Sequence, residues 1–226
     1  MTKDWYNQFT QIRVDRFLFL LISILLLFVI RPFLEGFIGI RMLLDVLFSL
    51  ILFSGIFAIS RKNYHLIIGL VIGLPAFVIR WSTHFVERPS LMLAGHGFMI
   101  LFFAYTIIIL LSYLFREDEV TADVIMCAVC VYFFIGFMWS LVFSVLESLQ
   151  PGSFRFGPGL AANVLNFIYY SFVTQTTLGY GDITPVTPPA RNLSLLEAII
   201  GQLYIAVLIA RLVGTHIAQS PKKLSQ

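Results

Sequence analysis

The sequence predicts an all-α membrane protein with six transmembrane helices and one short re-entrant helix. Three observations carry that reading. Of the 226 residues, 59% are hydrophobic and only 12% charged, with a mean hydropathy of +0.91; soluble domains hold about half apolar content. Apolar runs recur along nearly the whole chain, most of them close to the ~20 residues a helix needs to cross a bilayer. The last two runs are separated by a stretch too rich in glycine and proline to cross lipid, followed by a short helical pattern.

Residues 1–16 set Trp5, Tyr6, Phe9 and Ile12 among polar neighbours with Lys3, Arg13 and Arg16. That spacing fits either a helix lying on the membrane surface or a frayed leader. The N-terminus is not expected to be a cleavable signal, because its apolar run leads straight into Arg31-Pro32 with no small-residue cleavage site. The first run, 17–30, is short for a span; Arg16 and Arg31 can snorkel at its ends, and Phe33 and Leu34 extend it. The second run, 42–60, holds Asp45, and the third, 66–81, holds Pro75 and Arg80; the two charges could pair across the spans. The fourth, 91–115, carries no formal charge, and its lone His96 reads as a packed polar residue or a group titrating near neutral pH. The fifth and sixth runs are 124–146 and 193–213.

Between the last two runs lies Pro151-Gly-Ser-Phe-Arg-Phe-Gly-Pro-Gly159, an irregular turn region. Asn163 can cap a short helix over 164–174. Then comes Thr174-Gln175-Thr176-Thr177-Leu178-Gly179-Tyr180-Gly181-Asp182, with Pro185 just beyond. Gly179 and Gly181 visit positive φ cheaply, which lets successive carbonyls turn to one side. Irregular backbone at membrane depth needs protein or a water cavity around it, so 164–182 is expected as a re-entrant loop.

This run resembles the selectivity filter of tetrameric potassium channels, with Leu178 where valine is usual. The resemblance covers roughly residues 124–214. It implies that Thr177, Leu178, Gly179, Tyr180 and Gly181 form the ion-binding strip and that K+ is the permeant ion. The backbone carbonyls of Thr177 to Tyr180 and the Thr177 hydroxyl would replace its water. Each chain supplies one strand of a ring that takes four, so a homotetramer in the lipid bilayer is implied. The C-terminal end of the 164–174 helix would turn its partial negative charge toward the cavity.

Filter support is assigned to Tyr169, Tyr170, Thr174, Thr176, Asp182 and Glu197. Tyr169 and Tyr170 stand where many relatives carry tryptophans. Val173 stands where some place a glutamate that pairs with the aspartate, so Asp182 is either solvated or bonded to a tyrosine. Glu197 is an acid within a span, expected behind the filter against the short helix, as a polar clamp or in gating. Gly201 matches the family's hinge glycine or serves close helix packing. Gln202, Ile205 and Ile209 recur at helical spacing and could line the inner cavity or gate; Ala206 and Ala210 leave room for a crossing of four helices.

The six-run layout resembles voltage-gated potassium channels, which repeat arginine or lysine through the fourth span. Here 91–115 has none, and Arg116-Glu-Asp-Glu119 is too short for a lever helix. The expected organisation is therefore an N-terminal cytoplasmic or interfacial segment (1–16), a four-helix sensor-like domain without gating charges (17–115), a pore domain (120–214) and a short cytoplasmic tail (215–226). The tail is expected to have no room for a nucleotide- or calcium-binding domain, so regulation is expected to act on the membrane domain or through a separate regulatory chain. With the filter outside, both termini are cytoplasmic in a cell membrane, expected to be a bacterial inner or plasma membrane. Nine Lys and Arg fall on the inner side against six on the outer, a mild agreement.

The net charge of +3 is too small and too dispersed for nucleic acid. Cys127 and Cys130 form a C-x-x-C without a second pair or a ligating histidine, and read as packing residues. No organic cofactor is expected. His65, His84, His96 and His216 are scattered, and no hydrolase or metalloprotease motif supports an enzyme. The leading expectation is passive potassium conduction without steep voltage gating. A weakly selective cation channel on the same scaffold, or a non-conducting membrane subunit, is the alternative.

Overall fold

The structure is a computed structural model and describes residues 17–29, 40–59, 63–83, 85 and 88–219. The expected interfacial segment 1–16, His84 and the end of the tail beyond Gln219 lie outside the described residues. The elements in order are α1 (Phe17–Val29), α2 (Ile40–Ile59), α3 (Asn63–Ser82), α4 (Pro89–Arg116), α5 (Ala122–Leu149), β1 (Phe154–Phe156), α6 (Val164–Gln175), β2 (Ile183–Pro185) and α7 (Pro188–Gln219).

Local chemistry places most of these boundaries. Pro89 opens α4, where its missing N–H costs nothing. Thr121 caps α5 by accepting from the Val124 amide at 3.4 Å. Asn163 caps α6, its Oδ1 accepting from the Asn166 amide at 2.8 Å. α7 starts at Pro188, earlier than the apolar run at 193, because Pro188 and Pro189 suit a first helical turn. It runs on to Gln219, so the first part of the expected tail is helical.

Among the described residues, four helices are long and apolar enough to cross a membrane: α3, α4, α5 and the Pro188–Thr215 part of α7. α1 and the Asp45–Ala58 part of α2 are shorter apolar helices. α5 is the central post: 67% of its most apolar window is buried, against 17% for α7. It packs on α4, α6 and α7. Phe102 and Phe103 of α4 and Phe134, Phe137 and Phe143 of α5 are fully buried. Phe103 and Phe134 meet at 5.2 Å between ring centroids, and Phe137 packs edge-on to Phe172 of α6 at 5.7 Å. The Cys127 and Cys130 thiols are buried and unpaired as a disulfide, directed at the Leu110 and Phe17 carbonyls at 3.7 and 3.8 Å.

Asp45 of α2 and Arg80 of α3 do pair, the guanidinium Nε donating to Asp45 Oδ1. The same guanidinium lies 4.7 Å above the Phe48 ring. Trp81 donates to Ser49 Oγ at 3.2 Å one turn further on. His96 on α4 lines a small cavity with Arg80 and Thr83.

The region 151–159 differs from the expected irregular turn. Phe154–Phe156 forms β1 and pairs antiparallel with β2, with Phe154 opposite Pro185, Arg155 opposite Thr184 and Phe156 opposite Ile183. The Glu147 carboxylate organises the approach by accepting from the Gly152 amide at 2.8 Å and the Phe154 amide at 3.0 Å. Phe154 then seats among Phe143, Phe167 and Tyr170, at 5.1 to 5.4 Å between centroids.

Candidate functional site

The strip after α6 has an alternating backbone. Thr177, Gly179 and Gly181 sit at φ of 59°, 63° and 79°, while Leu178 and Tyr180 between them do not take positive φ. Positive φ costs a residue with a side chain ~1–2 kcal/mol, so Thr177 is held there by its surroundings. Its amide donates to Thr174 O at 3.0 Å. The Leu178 and Gly179 amides both reach Val173 O, at 2.9 and 3.4 Å. These bonds satisfy carbonyls that the end of α6 would otherwise leave open.

The amides of Thr177, Leu178 and Gly179 are thus committed to α6, and the strip's carbonyls are left open. Among the described residues, no donor reaches the carbonyls of Thr177, Leu178, Gly179, Tyr180 or Gly181. Residues 176–181 are all exposed on the subunit. Thr176 turns its hydroxyl back to Phe172 O at 2.6 Å, whereas no such bond claims the Thr177 hydroxyl. The segment is a row of neutral oxygens beside the negative end of a helix dipole, suited to a desolvated monovalent cation.

Tyr169 and Tyr170 of α6 meet different neighbours, Tyr169 the strip and Tyr170 the start of α7. The Tyr169 phenol donates to Asp182 Oδ2 at 2.7 Å, which decides between the two expectations for Asp182. Its ring is parallel to Tyr180, 6.3 Å between centroids and 6° between planes. Asp182 Oδ1 accepts from the Ile183 amide at 3.1 Å, and its carbonyl accepts from Gly157 N at 2.7 Å. Tyr170 is buried and bonds Ser194 of α7 at 2.7 Å. Thr174 enters through its carbonyl.

Glu197 is fully buried on α7 and contacts the Ser171 hydroxyl of α6. Gly201, one turn on, is where α7 meets the end of α6: an added Cβ would stand 2.8 Å from Gln175 O and 2.7 Å from Gln175 Cγ. Gln202 donates to that same Gln175 carbonyl at 3.3 Å. Gln202, Ala206, Ile209 and Ala210 lie on the uncovered part of α7, and Ile205 is half-buried.

Gln175 itself was not among the expected site residues. It is fully buried and donates to Tyr132 O of α5 at 3.0 Å. Gly136 of α5 makes room for it; a Cβ there would lie 2.7 Å from Gln175 Oε1 and 2.6 Å from the Phe172 ring. Arg211 was also missed. Its Nη2 donates to Glu117 O at 2.8 Å, and its guanidinium lies 4.9 Å over the Phe115 ring, tying α7 to the end of α4.

Residues 120–216 match a family model described as ion channel. They span α5, the β1–β2 pair, α6, the exposed strip and most of α7. This segment is similar to ion channel domains. It is similar to two pore potassium channel c of Oryza sativa subsp. japonica, 38% identical over 64 residues, which is 28% of this chain and 14% of that protein. It is also similar to the inward rectifier potassium channel Kirbac3.1 of Paramagnetospirillum magnetotacticum, 36% identical over 63 residues, or 28% of this chain and 18% of that protein. The chain thus covers under a fifth of the length of either relative. No solved structure matches. Within residues 120–216 the strip 177–181 follows α6 directly.

Proposed function

We propose that four copies of this chain surround one axis in a lipid bilayer and conduct K+ passively between the facing carbonyls of Thr177 to Gly181. The observation that carries this is the alternation of positive φ at Thr177, Gly179 and Gly181, with the Thr177, Leu178 and Gly179 amides tied to α6, the pore helix on this reading, and the strip's carbonyls left to bind a cation. One chain supplies only one side of such a cage, and a closed ring makes the other sides from identical copies. The exposed Leu178 and Tyr180 and the apolar exposed face of α7 (Leu195, Ile199, Leu203) fit burial against neighbouring copies. The two shorter apolar helices complete six spans, with both termini on the cytoplasmic face of a cell membrane. The helices before residue 116 serve as a domain without gating charges.

Purified protein in liposomes tests the reading by K+ flux. Gly179→Ala should lower flux ~10-fold or more, the loss that corresponds to ~1.4 kcal/mol, with helical content retained. A reversal potential that ignores the K+/Na+ ratio would favour a weakly selective cation pore. No flux from folded tetramer would favour a non-conducting subunit.

A further inference from the structure

The proton count around Ser171 does not close if Glu197 is ionised. Ser171 Oγ lies 2.7 Å from the Gly136 carbonyl of α5 and also contacts Glu197 Oε1 of α7. Both partners would be acceptors, and one hydroxyl carries one proton. Ser171, Glu197 and the Gly136 region are all buried, so water does not supply the missing donor. In addition, Glu197 Oε2 is buried without a hydrogen-bond partner among the described residues, and no ion pair compensates a charge there. A bare anionic oxygen in that position is costly, whereas the carbonyl oxygen of a neutral acid is far less so.

We propose that Glu197 is a neutral carboxylic acid that donates to Ser171, which in turn donates to the Gly136 carbonyl. The three groups form a relay from α7 through the pore helix to α5. Glu197 is thereby a positioning residue: it acts on the coordinating strip through the pore helix and does not touch the ion. Removing its proton makes Ser171 turn to the carboxylate and release Gly136, which removes one of the ties between the pore helix and α5. The titratable side chains facing it are Tyr132 of α5 and Tyr170 of α6, both phenols that carry no charge at neutral pH.

Infrared difference spectroscopy of the full chain in nanodiscs at neutral pH tests the protonation directly. Glu197→Gln should remove one protonated-carboxyl C=O band per subunit and leave the carboxylate bands unchanged. Loss from the carboxylate bands instead overturns the proposal. Ser171→Ala should keep that carboxyl band but shift its frequency; an unshifted band overturns the relay. The effect on conduction rests on the pore reading above. Flux of wild type should fall about threefold or more as pH rises through the titration of this acid, the scale of one hydrogen bond's net contribution, and Glu197→Gln should flatten that profile. If no variant conducts, the pore reading fails, and the infrared bands still decide whether Glu197 holds its proton.

Discussion

The Tyr169 phenol donates to Asp182 Oδ2 at 2.7 Å, joining α6 to the residue that follows the strip 177–181. The bond ties the far end of the strip back to the middle of α6. The parallel Tyr180 ring fills the space behind it. Tyrosine supplies here both an apolar body for packing and a hydroxyl for the carboxylate.

Removing that hydroxyl should loosen the strip without disturbing the ring contact. A hydrogen bond to a charged acceptor contributes ~1.5–3 kcal/mol. Tyr169→Phe is expected to speed loss of conduction during sustained K+ flux, and Asp182→Asn to do the same. The double substitution should be no worse than the more severe single one, because both delete one interaction. Additive losses in a flux time course would show that the two residues act separately.

Gly201 touches Gln175 so closely that a methyl group must displace backbone. Overpacking of this kind costs ~1–3 kcal/mol. Gly201→Ala should therefore lower the thermal midpoint of the assembled protein. If Gly201 served only as a flexible joint, the substitution would change opening and leave the midpoint where it was.

The Asp45–Arg80 pair joins α2 to α3 away from the strip. Arg80→Leu takes the partly exposed guanidinium from the buried Asp45, and a lost hydrogen bond to a charged group costs ~1.5–3 kcal/mol. Asp45→Leu with Arg80→Leu should recover part of that loss. Thermal unfolding in detergent reads both, and a double variant less stable than the single would refute the compensation.

The only arginine or lysine of α4 is Arg116, in its last turn. One elementary charge crossing the whole membrane contributes ~2.3 kcal/mol per 100 mV. Open probability of the reconstituted protein should change with voltage no more steeply than about one charge allows. A slope worth several charges would show that some other element moves through the field.

Local chemistry was legible in the sequence and remote pairing was not. Asn163 caps α6 within one turn of itself, and the glycine spacing at 179 and 181 states a backbone need directly. The Phe154–Pro185 pairing was unreadable, because the segment is three residues long and its partner lies beyond the whole pore helix. Gln175 also escaped, since its burial depends on Gly136 and Gly201, which belong to two other helices. Each glycine is conspicuous only once the side chain that fills its place is known. Arg211 looked like the end of a span, yet its partner is a backbone carbonyl in the α4–α5 connection, which no side-chain pattern reveals.

The β1–β2 ribbon has a mechanical meaning. It hangs the far end of the strip 177–181 from the end of α5, through the Glu147 carboxylate and the Gly157–Asp182 bond. Arg211, by contrast, grips the opposite extremity of α7. On the proposed reading the rim is a bracket bolted to the stationary post, so a swing of the lower shaft of α7 can widen the vestibule while the oxygen cage keeps its bore.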